Sequence, residues 1–227
     1  MKALVFSGAW QRLASAKVLG SIGASGYMHR FGPLKLADVS EPELPGDDWV
    51  RVRTRRSGIC GSDLKQVFLE GALDNPLTSF ITFPHIMGHE VTGEVLETGR
   101  AVTTVATGDR VAVNPWLTCV PRGIPECRGC EENTNCDSLS GGDFAAGMHL
   151  GTCRDVGGGF AEQLVVHESM CFPLPATVDW DAASLADPFA VCLHALLQSP
   201  PQPGERVLAP GRAGRRGDEL STGFRCA

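Results

Sequence analysis

Phe83-Pro84-His85-Ile86-Met87-Gly88-His89-Glu90-Val91-Thr92-Gly93-Glu94 is the stretch from which the rest of the chain is read. Gly88 lets the backbone turn sharply, and His89 and Glu90 follow as adjacent potential metal ligands. An apolar run with small residues, Val91 to Val95, then continues as a strand. Neighbours on an ideal strand point to opposite faces. His89 and Glu90 can therefore share one ion only where the strand begins irregularly, and Gly88 supplies that irregularity. Alone, the pair reads more readily as structural. It gains weight from Gly58-Ile59-Cys60-Gly61-Ser62-Asp63, which also sets a ligand atom at a strand-to-loop corner. Cys, His and a carboxylate from separated loops are the set from which an open catalytic zinc site is built.

Working outward, the strand ends near Glu97, and Gly108-Asp109 turns the chain tightly into Arg110-Val111-Ala112-Val113. Upstream, Trp49 to Arg55 alternates apolar and charged residues, and Asp63 to Phe68 reads as one or two helical turns. Lys2 to Phe6 and Leu34 to Val39 read as strands. Between them Trp10, Leu13, Ala14, Lys17 and Val18 have helical spacing until Gly20, Gly23 and Gly26 intervene, so a short helix and then a loop is expected. Gly157-Gly158-Gly159 precedes an alternating strand, Phe160 to Val166, and Cys171-Phe172-Pro173 is extended. Many short strands with Gly-rich turns predict a mainly β fold with short helices, a small barrel. From Asp179 the texture changes: Trp180 to Leu185 and Phe189 to Gln198 read as helices, Pro188 taking a favoured first-turn position. Val207 to Ala209 starts a further strand.

Bulk composition excludes several classes. Of 227 residues 43% are hydrophobic and 20% charged, the proportions of a globular domain. A net charge of −6 argues against nucleic-acid or anionic-membrane partners, which need a basic face. No apolar run approaches the roughly 20 residues that span a bilayer, and Met1 to Phe6 has no signal-peptide core. The expected compartment is the cytoplasm. There the nine cysteines are better read as metal ligands or buried thiols than as disulfides.

Four cysteines lie on one loop of about Pro115 to Gly142: Cys119, then Cys127-x2-Cys130-x5-Cys136. Four thiolates so spaced can close a tetrahedral structural zinc site and stabilise a loop too polar to form its own core. The residues between them, Arg122 included, read as loop formers. Asp187 is a further candidate ligand, although Asp before Pro is also a good N-cap pair. Ser62 could relay a proton from a metal-bound alcohol or cap the helix beginning near Asp63. His85, His149, His194, Cys153, Cys171, Cys192 and Cys226 read as packing or surface residues.

A dinucleotide-binding fingerprint would sit after the strand at Val207 to Ala209. The sequence there, Pro210-Gly211-Arg212-Ala213-Gly214-Arg215-Arg216-Gly217, is spaced G-x-x-G-x-x-G. Only seventeen residues follow Pro210, too few for the roughly 30-residue βαβ unit. They show no amphipathic helix and no second strand.

Together these motifs resemble the zinc-dependent medium-chain alcohol dehydrogenase family, in its polyol and threonine dehydrogenase-like branch. The matching stretches are Gly58 to Asp63, Gly88-His89-Glu90, Gly108 to Val111, Gly158-Gly159-Phe160-Ala161-Glu162 and Asp187-Pro188-Phe189-Ala190-Val191. The resemblance implies a chaperonin-10-like (GroES-like) barrel followed by a Rossmann domain, of which only the first helix and strand are legible. It divides the chain into a zinc-binding catalytic domain at 1–185, with the structural-zinc lobe at 115–142, the start of a dinucleotide-binding domain at 186–209, and an aberrant or disordered tail at 210–227. It implies a catalytic zinc on Cys60, His89 and a carboxylate, either Glu90 or Asp187, with Ser62 as proton relay and Cys119, Cys127, Cys130 and Cys136 around a structural zinc. The lobe's gaps of seven, two and five depart from the family's two, two and seven. The implied reaction is hydride transfer from an alcohol or polyol to NAD or NADP, and a homo-oligomer is allowed. The alternatives are a zinc-binding catalytic-domain fragment without turnover and a non-enzymatic zinc module.

Overall fold

The computed structural model describes residues 1–70, 80–132, 134–210 and 221–225, with backbone alone at 206–210 and 221–225. In chain order it forms β1 (Lys2–Phe6), α1 (Trp10–Gly20), β2 (Leu34–Asp38), β3 (Trp49–Gly58), α2 (Gly61–Val67), β4 (His85–Ile86), β5 (Glu90–Thr98) and β6 (Arg110–Val113). There follow α3 (Arg128–Glu131), β7 (Gln163–His167), β8 (Cys171–Pro173), α4 (Trp180–Ala183), α5 (Ala186–Gln198), β9 (Arg206–Pro210) and β10 (Ser221–Arg225). The chain divides into two compact units, Met1–Asp187 and Pro188–Ala227.

The first unit is mainly β with short helices. A five-stranded sheet runs β7-β3-β5-β6-β8 and a three-stranded sheet β2-β1-β4, all by antiparallel pairing. Alternation explains the long central strand: Val50 and Val52 are fully buried, while Arg51 between them reaches Glu41 and Glu97. Val91, Val95, Val111, Leu164 and Val166 join them from the neighbouring strands, closed by Leu117 and Leu150. The two sheets are tied together by the glycine segment before β7. Leu4 N–H donates to the Phe160 carbonyl at 2.7 Å, and Gly158, Gly159 and Phe160 donate to Ile86, Gly88 and Met87 at 2.9 Å each.

Two expected elements differ in detail. The strand predicted over Phe160 to Val166 begins at Gln163, because Phe160 is committed to the turn around Gly88. The helix predicted after Trp10 forms, but its buried residue is Ala16, while Trp10 and Val18 are exposed. A 3₁₀ turn at Ala24–Tyr27 follows it, and Tyr27 meets Phe68 edge-on at 5.4 Å.

In the second unit α5 takes Pro188 into its first turn, as expected. The absence of a second strand after Pro210 is corrected. β10 pairs antiparallel with β9, from Ser221↔Pro210 to Arg225↔Arg206. Backbone pairing needs no amphipathic pattern, so nothing in the side-chain sequence announced it. The glycine-spaced run falls on residues 211–220, outside the described residues.

Candidate metal centres

Gly88 has φ of 91°, open to glycine and costly for any residue with a Cβ. A Cβ there would also stand 2.6 Å from the Phe160 ring, and a Cβ at Gly151 would stand 2.9 Å from Gly88 N. This close backbone packing places His89 just before β5 begins at Glu90. The geometric objection to adjacent ligands is thereby removed. Cys60 Sγ, a His89 ring nitrogen and a Glu90 carboxylate oxygen lie within 4.8 Å of one another. Gly58 faces Glu90 across the β3–β5 ladder, and a Cβ on it would collide with Glu90 Oε2. A thiolate, an imidazole and a carboxylate on three corners, with a cradle kept clear, fit a zinc ion with one position open.

Asp63 organises two of these groups. Its Oδ2 accepts from Cys60 N–H at 2.9 Å, capping α2. Its Oδ1 stands 3.6 Å from His89 Nδ1, slightly beyond hydrogen-bond length and well within ion-pair reach. Asp63 is buried. Burial alone would lower the His89 pKa, but Asp63 and then Cys60 outweigh it and hold it at about 9. With Nδ1 on the Asp63 side, the other ring nitrogen, Nε2, faces Ser62, whose Oγ stands at 3.5 Å. Of the two roles open to Ser62, the cap belongs to Asp63.

Asp187 is half-buried and stands outside the three-residue cluster. Its charge is nonetheless felt: burial raises the Glu90 pKa, His89 opposes the rise and Asp187 adds to it. Burial likewise raises Asp187, opposed by His89.

His149 is the residue that sequence reasoning missed. Its ring lies 4.5 Å from that of His89 and meets Trp116 edge-on at 5.9 Å. Its Nδ1 donates to the Leu150 carbonyl at 2.5 Å. Burial, then the neighbouring His89, push its pKa down to about 4. It sits on an irregular loop joined to Trp116 by an isolated bridge, and no motif or periodicity marks such a position. His85 is a packing residue as expected, accepting from Gln66 Nε2 at 2.7 Å and donating to the Thr82 carbonyl at 2.8 Å.

The sulfurs of Cys119, Cys127, Cys130 and Cys136 also lie within 4.8 Å of one another. Backbone N–H groups of Cys127, Asp137 and Ser138 point at Cys119, Cys127 and Cys136 sulfurs, each at 3.4 Å. The Asp137 N–H, with further N–H donors, brings the Cys127 thiol down to about 6. Burial drives Cys130 up to about 12 and Cys136 upward as well. Four such sulfurs cannot all ionise without a cation between them, and zinc is suited to four thiolates.

The reading of Arg122 as a loop former is corrected. It is fully buried, and its guanidinium donates to six carbonyls: Leu117 and Gly141 at 3.0 Å, Leu139 and Phe144 at 3.2 Å, Ala145 at 3.3 Å and Gly147 at 2.5 Å. Arginine's fork of five N–H groups reaches acceptors in several directions at once. It supplies the core that the polar lobe lacks. Burial lowers its pKa, opposed by Cys153, Cys136 and Cys119.

Comparison with known proteins gives a consistent picture. A family described as the alcohol dehydrogenase GroES-like domain matches residues 46–176. The chain is 38% identical over 180 residues to L-threonine 3-dehydrogenase of Streptomyces coelicolor, covering 78% of this chain and 46% of that protein. It is 31% identical over 189 residues to (R,R)-butanediol dehydrogenase of Bacillus subtilis, covering 81% and 49%. Among solved structures, galactitol-1-phosphate dehydrogenase from Escherichia coli superposes with a TM-score of 0.61 at 27% identity, over 87% of this chain and 44% of that one. A putative zinc-binding dehydrogenase from Sinorhizobium meliloti, bound to NADP, superposes with a TM-score of 0.60 at 26% identity, over 89% and 47%. The chain spans about half the length of the curated relatives it matches.

Proposed function

The chain belongs to the alcohol dehydrogenase family with a GroES-like domain, and from that premise we propose that it carries the zinc-dependent, alcohol-binding half of an alcohol or polyol dehydrogenase. The convergence of Cys60, His89 and Glu90 ligand atoms within 4.8 Å carries this reading. Zinc held there would act as a Lewis acid on an alcohol oxygen and make its hydroxyl more acidic. Asp63 keeps the imidazole oriented through Nδ1, and carboxylate partners of this kind also raise ligand basicity. Gly58 leaves the space in which the Glu90 carboxylate lies. Ser62, exposed in the first turn of α2, stands beside His89 Nε2 and is the first acceptor for a proton leaving the substrate hydroxyl towards water. The four-cysteine lobe would hold a second, structural zinc.

Relatives of this half occur with NADP or NADH bound, so the full reaction would send hydride to a nicotinamide. The backbone at 206–210 and 221–225 does not follow the pattern that holds that cofactor. The antiparallel pairing of β9 with β10 is not the parallel crossover on which a dinucleotide rests. That antiparallel pairing favours a second reading, a domain that binds zinc and alcohol without turnover on its own. A GroES-like domain at 1–185 followed by the start of a dinucleotide-binding domain at 186–209 agrees with either. All eight cysteines among the described residues are free, which supports a reducing compartment, the cytoplasm. No helix among the described residues is long and apolar enough to cross a membrane.

The test is a titration of the zinc-loaded chain with NADH and NADPH, followed by nicotinamide fluorescence, with zinc counted by native mass spectrometry. Two zinc ions and saturable cofactor binding support the dehydrogenase reading and justify an alcohol screen. Two zinc ions with no binding up to millimolar cofactor select the second reading. No more than one zinc ion would sink both.

A further inference from the structure

Charge is unevenly spread along the chain. Lys2, Arg12, Lys17, Arg30 and Lys35 precede the first acidic residue, Asp38, while the remaining 190 residues hold 15 basic and 26 acidic side chains. The net charge of −6 thus averages a basic end and an acidic body, and its bar to an anionic membrane holds for the body alone. Within the basic end, α1 is apolar on two sides. Leu13 packs against the cluster of Phe6, Val67 and Met87, and Ala16 is fully buried. On the other side Trp10, Ala14 and Val18 recur every fourth residue, and Ile22 follows in the turn beyond. Trp10 is 73% exposed, Val18 65% and Ile22 83%. The loop after the 3₁₀ turn lies alongside: Arg12 Nη1 donates to the Gly32 carbonyl at 3.3 Å and Ser15 Oγ to the Phe31 carbonyl at 3.4 Å. Phe31 is 60% exposed there, with the Arg30 guanidinium 4.4 Å above its ring. A surface helix ordinarily turns a polar face outward. This one turns out tryptophan, valine and isoleucine, with exposed Lys17 and Arg30 beside them.

We propose that residues 10–31 form a docking face for an anionic lipid surface. Trp10, Val18, Ile22 and Phe31 enter the boundary between headgroups and acyl chains, and Lys17 and Arg30 stay among the phosphates. Interfacial helices combine apolar side chains with Lys and Arg in this way, and tryptophan suits a boundary that is apolar on one side and wet on the other. Charge decides between occupants. A second copy would bring two such ends together, each with five cations and no acid, and like charges repel. An anionic surface attracts this end and repels the acidic body, so it also sets the orientation. An acidic protein shares the attraction, but the apolar side chains stand on helix, turn and loop in succession. A rigid partner would need a pocket for each, whereas a fluid surface needs none. With so few cations the attachment is reversible and weakens as salt rises. Leu13 and Tyr27 fasten the face to Val67 and Phe68, at the end of α2 away from Cys60. Docking therefore draws on no residue of the proposed metal centres.

The experiment mixes the full, zinc-loaded chain with phosphatidylcholine vesicles, with and without phosphatidylserine. Co-sedimentation reports binding, and quenching of tryptophan by brominated acyl chains reports depth. The expected result is binding to the phosphatidylserine vesicles alone, lost as salt rises, with tryptophan quenched. Trp10→Phe should still bind but lose most of the quenching. Lys17→Gln with Arg30→Gln should weaken binding by about fivefold for each charge removed. Trp10→Ser with Ile22→Ser should weaken it by at least about tenfold. These side chains are exposed, so melting temperature and zinc content should match wild type; if a double variant fails that control, Lys17→Gln and Ile22→Ser singly decide. No binding at low salt, or equal binding by wild type and the variants, would overturn the proposal. Quenching that persists in Trp10→Phe would overturn it too, placing the contact elsewhere. Dimerisation abolished by Trp10→Ser, without vesicle binding, would give the face to a second copy. Retention on polyglutamate beads but not on vesicles would give it to an acidic protein.

Discussion

Glycine at position 58 is required by what lies opposite it. Glu90 occupies the space a side chain would take, so Gly58→Ala should push the carboxylate off the shared position and leave the strand paired. Zinc affinity at the Cys60 site should fall by about 10–100-fold, the usual scale for disturbing a ligand's support. Lobe zinc should be unaffected, which competition with a graded chelator would show site by site. Arg122 presents the opposite case, a large cation where the sequence suggested open loop. Arg122→Met leaves six carbonyls without their donor, and with about 1–3 kcal/mol for each one that water cannot reach the loss should be at least about 3 kcal/mol. At a few degrees per kcal/mol for a chain of this size, the melting temperature should drop by about 10 °C. Arg122→Lys should recover only part, since a point charge with three donors cannot replace the planar fork. A variant melting like wild type would show that water satisfies those carbonyls. These two residues mark what the sequence could reveal at this scale. Cys60, His89, Glu90 and the four lobe cysteines are legible because ligand chemistry restricts residue type and spacing. Arg122 and His149 are placed by tertiary closure of a loop, which leaves no local pattern.

Helix α2 shows how one short element serves the site. Its N-cap is Cys60 itself, and Asp63 closes the first turn onto Cys60 N–H while its other oxygen faces His89. Asp63→Asn keeps an acceptor for the cap and removes the charge. Helix content should hold, while zinc affinity at the Cys60 site should fall by about 10–100-fold. Asp63→Ala should cost a further ~1 kcal/mol of cap energy. Equal zinc affinity in Asp63→Asn and wild type would confine Asp63 to capping. A second strap joins the loop before β6 to the end of β7. Glu168 Oε2 accepts from Thr103 N–H at 2.8 Å and Thr104 N–H at 3.2 Å. These bonds, Thr103's foremost, hold the Glu168 pKa below 4.5. A carboxyl depressed on folding contributes stability above its unfolded pKa and loses it as pH falls through the lower folded value. Glu168→Gln should therefore melt below wild type at neutral pH, by under ~1 kcal/mol for so exposed a group. The gap should close as pH falls below about 4.5. A gap constant with pH would mean that the strap acts by shape rather than charge. At this scale the strands were legible wherever alternation met burial, as in β3. Where neighbours decide, the pattern misleads or is missing: alternation from Phe160 is overridden by the turn around Gly88, and β10, paired to the strand read at Val207 to Ala209, carried no periodic signal.

Within the first unit the two proposed metal sites stand in different relations to the fold. The Cys60 site is assembled from the ends of β3 and β5, strands whose valines form the main core, so the sheet can hold its shape with or without an ion. Among its described residues the lobe at 115–142 has little regular structure beyond α3; the hydrogen bonds of Arg122 and those to the sulfurs hold it, and an ion among the four sulfurs would supply folding energy outright. Stability should therefore be uneven across the unit. A chelator strong enough to take both zinc ions should release the lobe amides, Cys119 to Ser138, to rapid hydrogen exchange, while β3, β5 and β7 stay protected. Leu117 and Leu150, which close the main core from the lobe side, set the limit of the effect: exchange should quicken at Leu117 and stop short of Val111. Sheet amides exchanging in step with the lobe would instead make sheet and lobe one cooperative unit, with the lobe zinc as part of its core. In that case Arg122→Met should lose zinc from both sites together; on the uneven picture it loses zinc from the lobe alone.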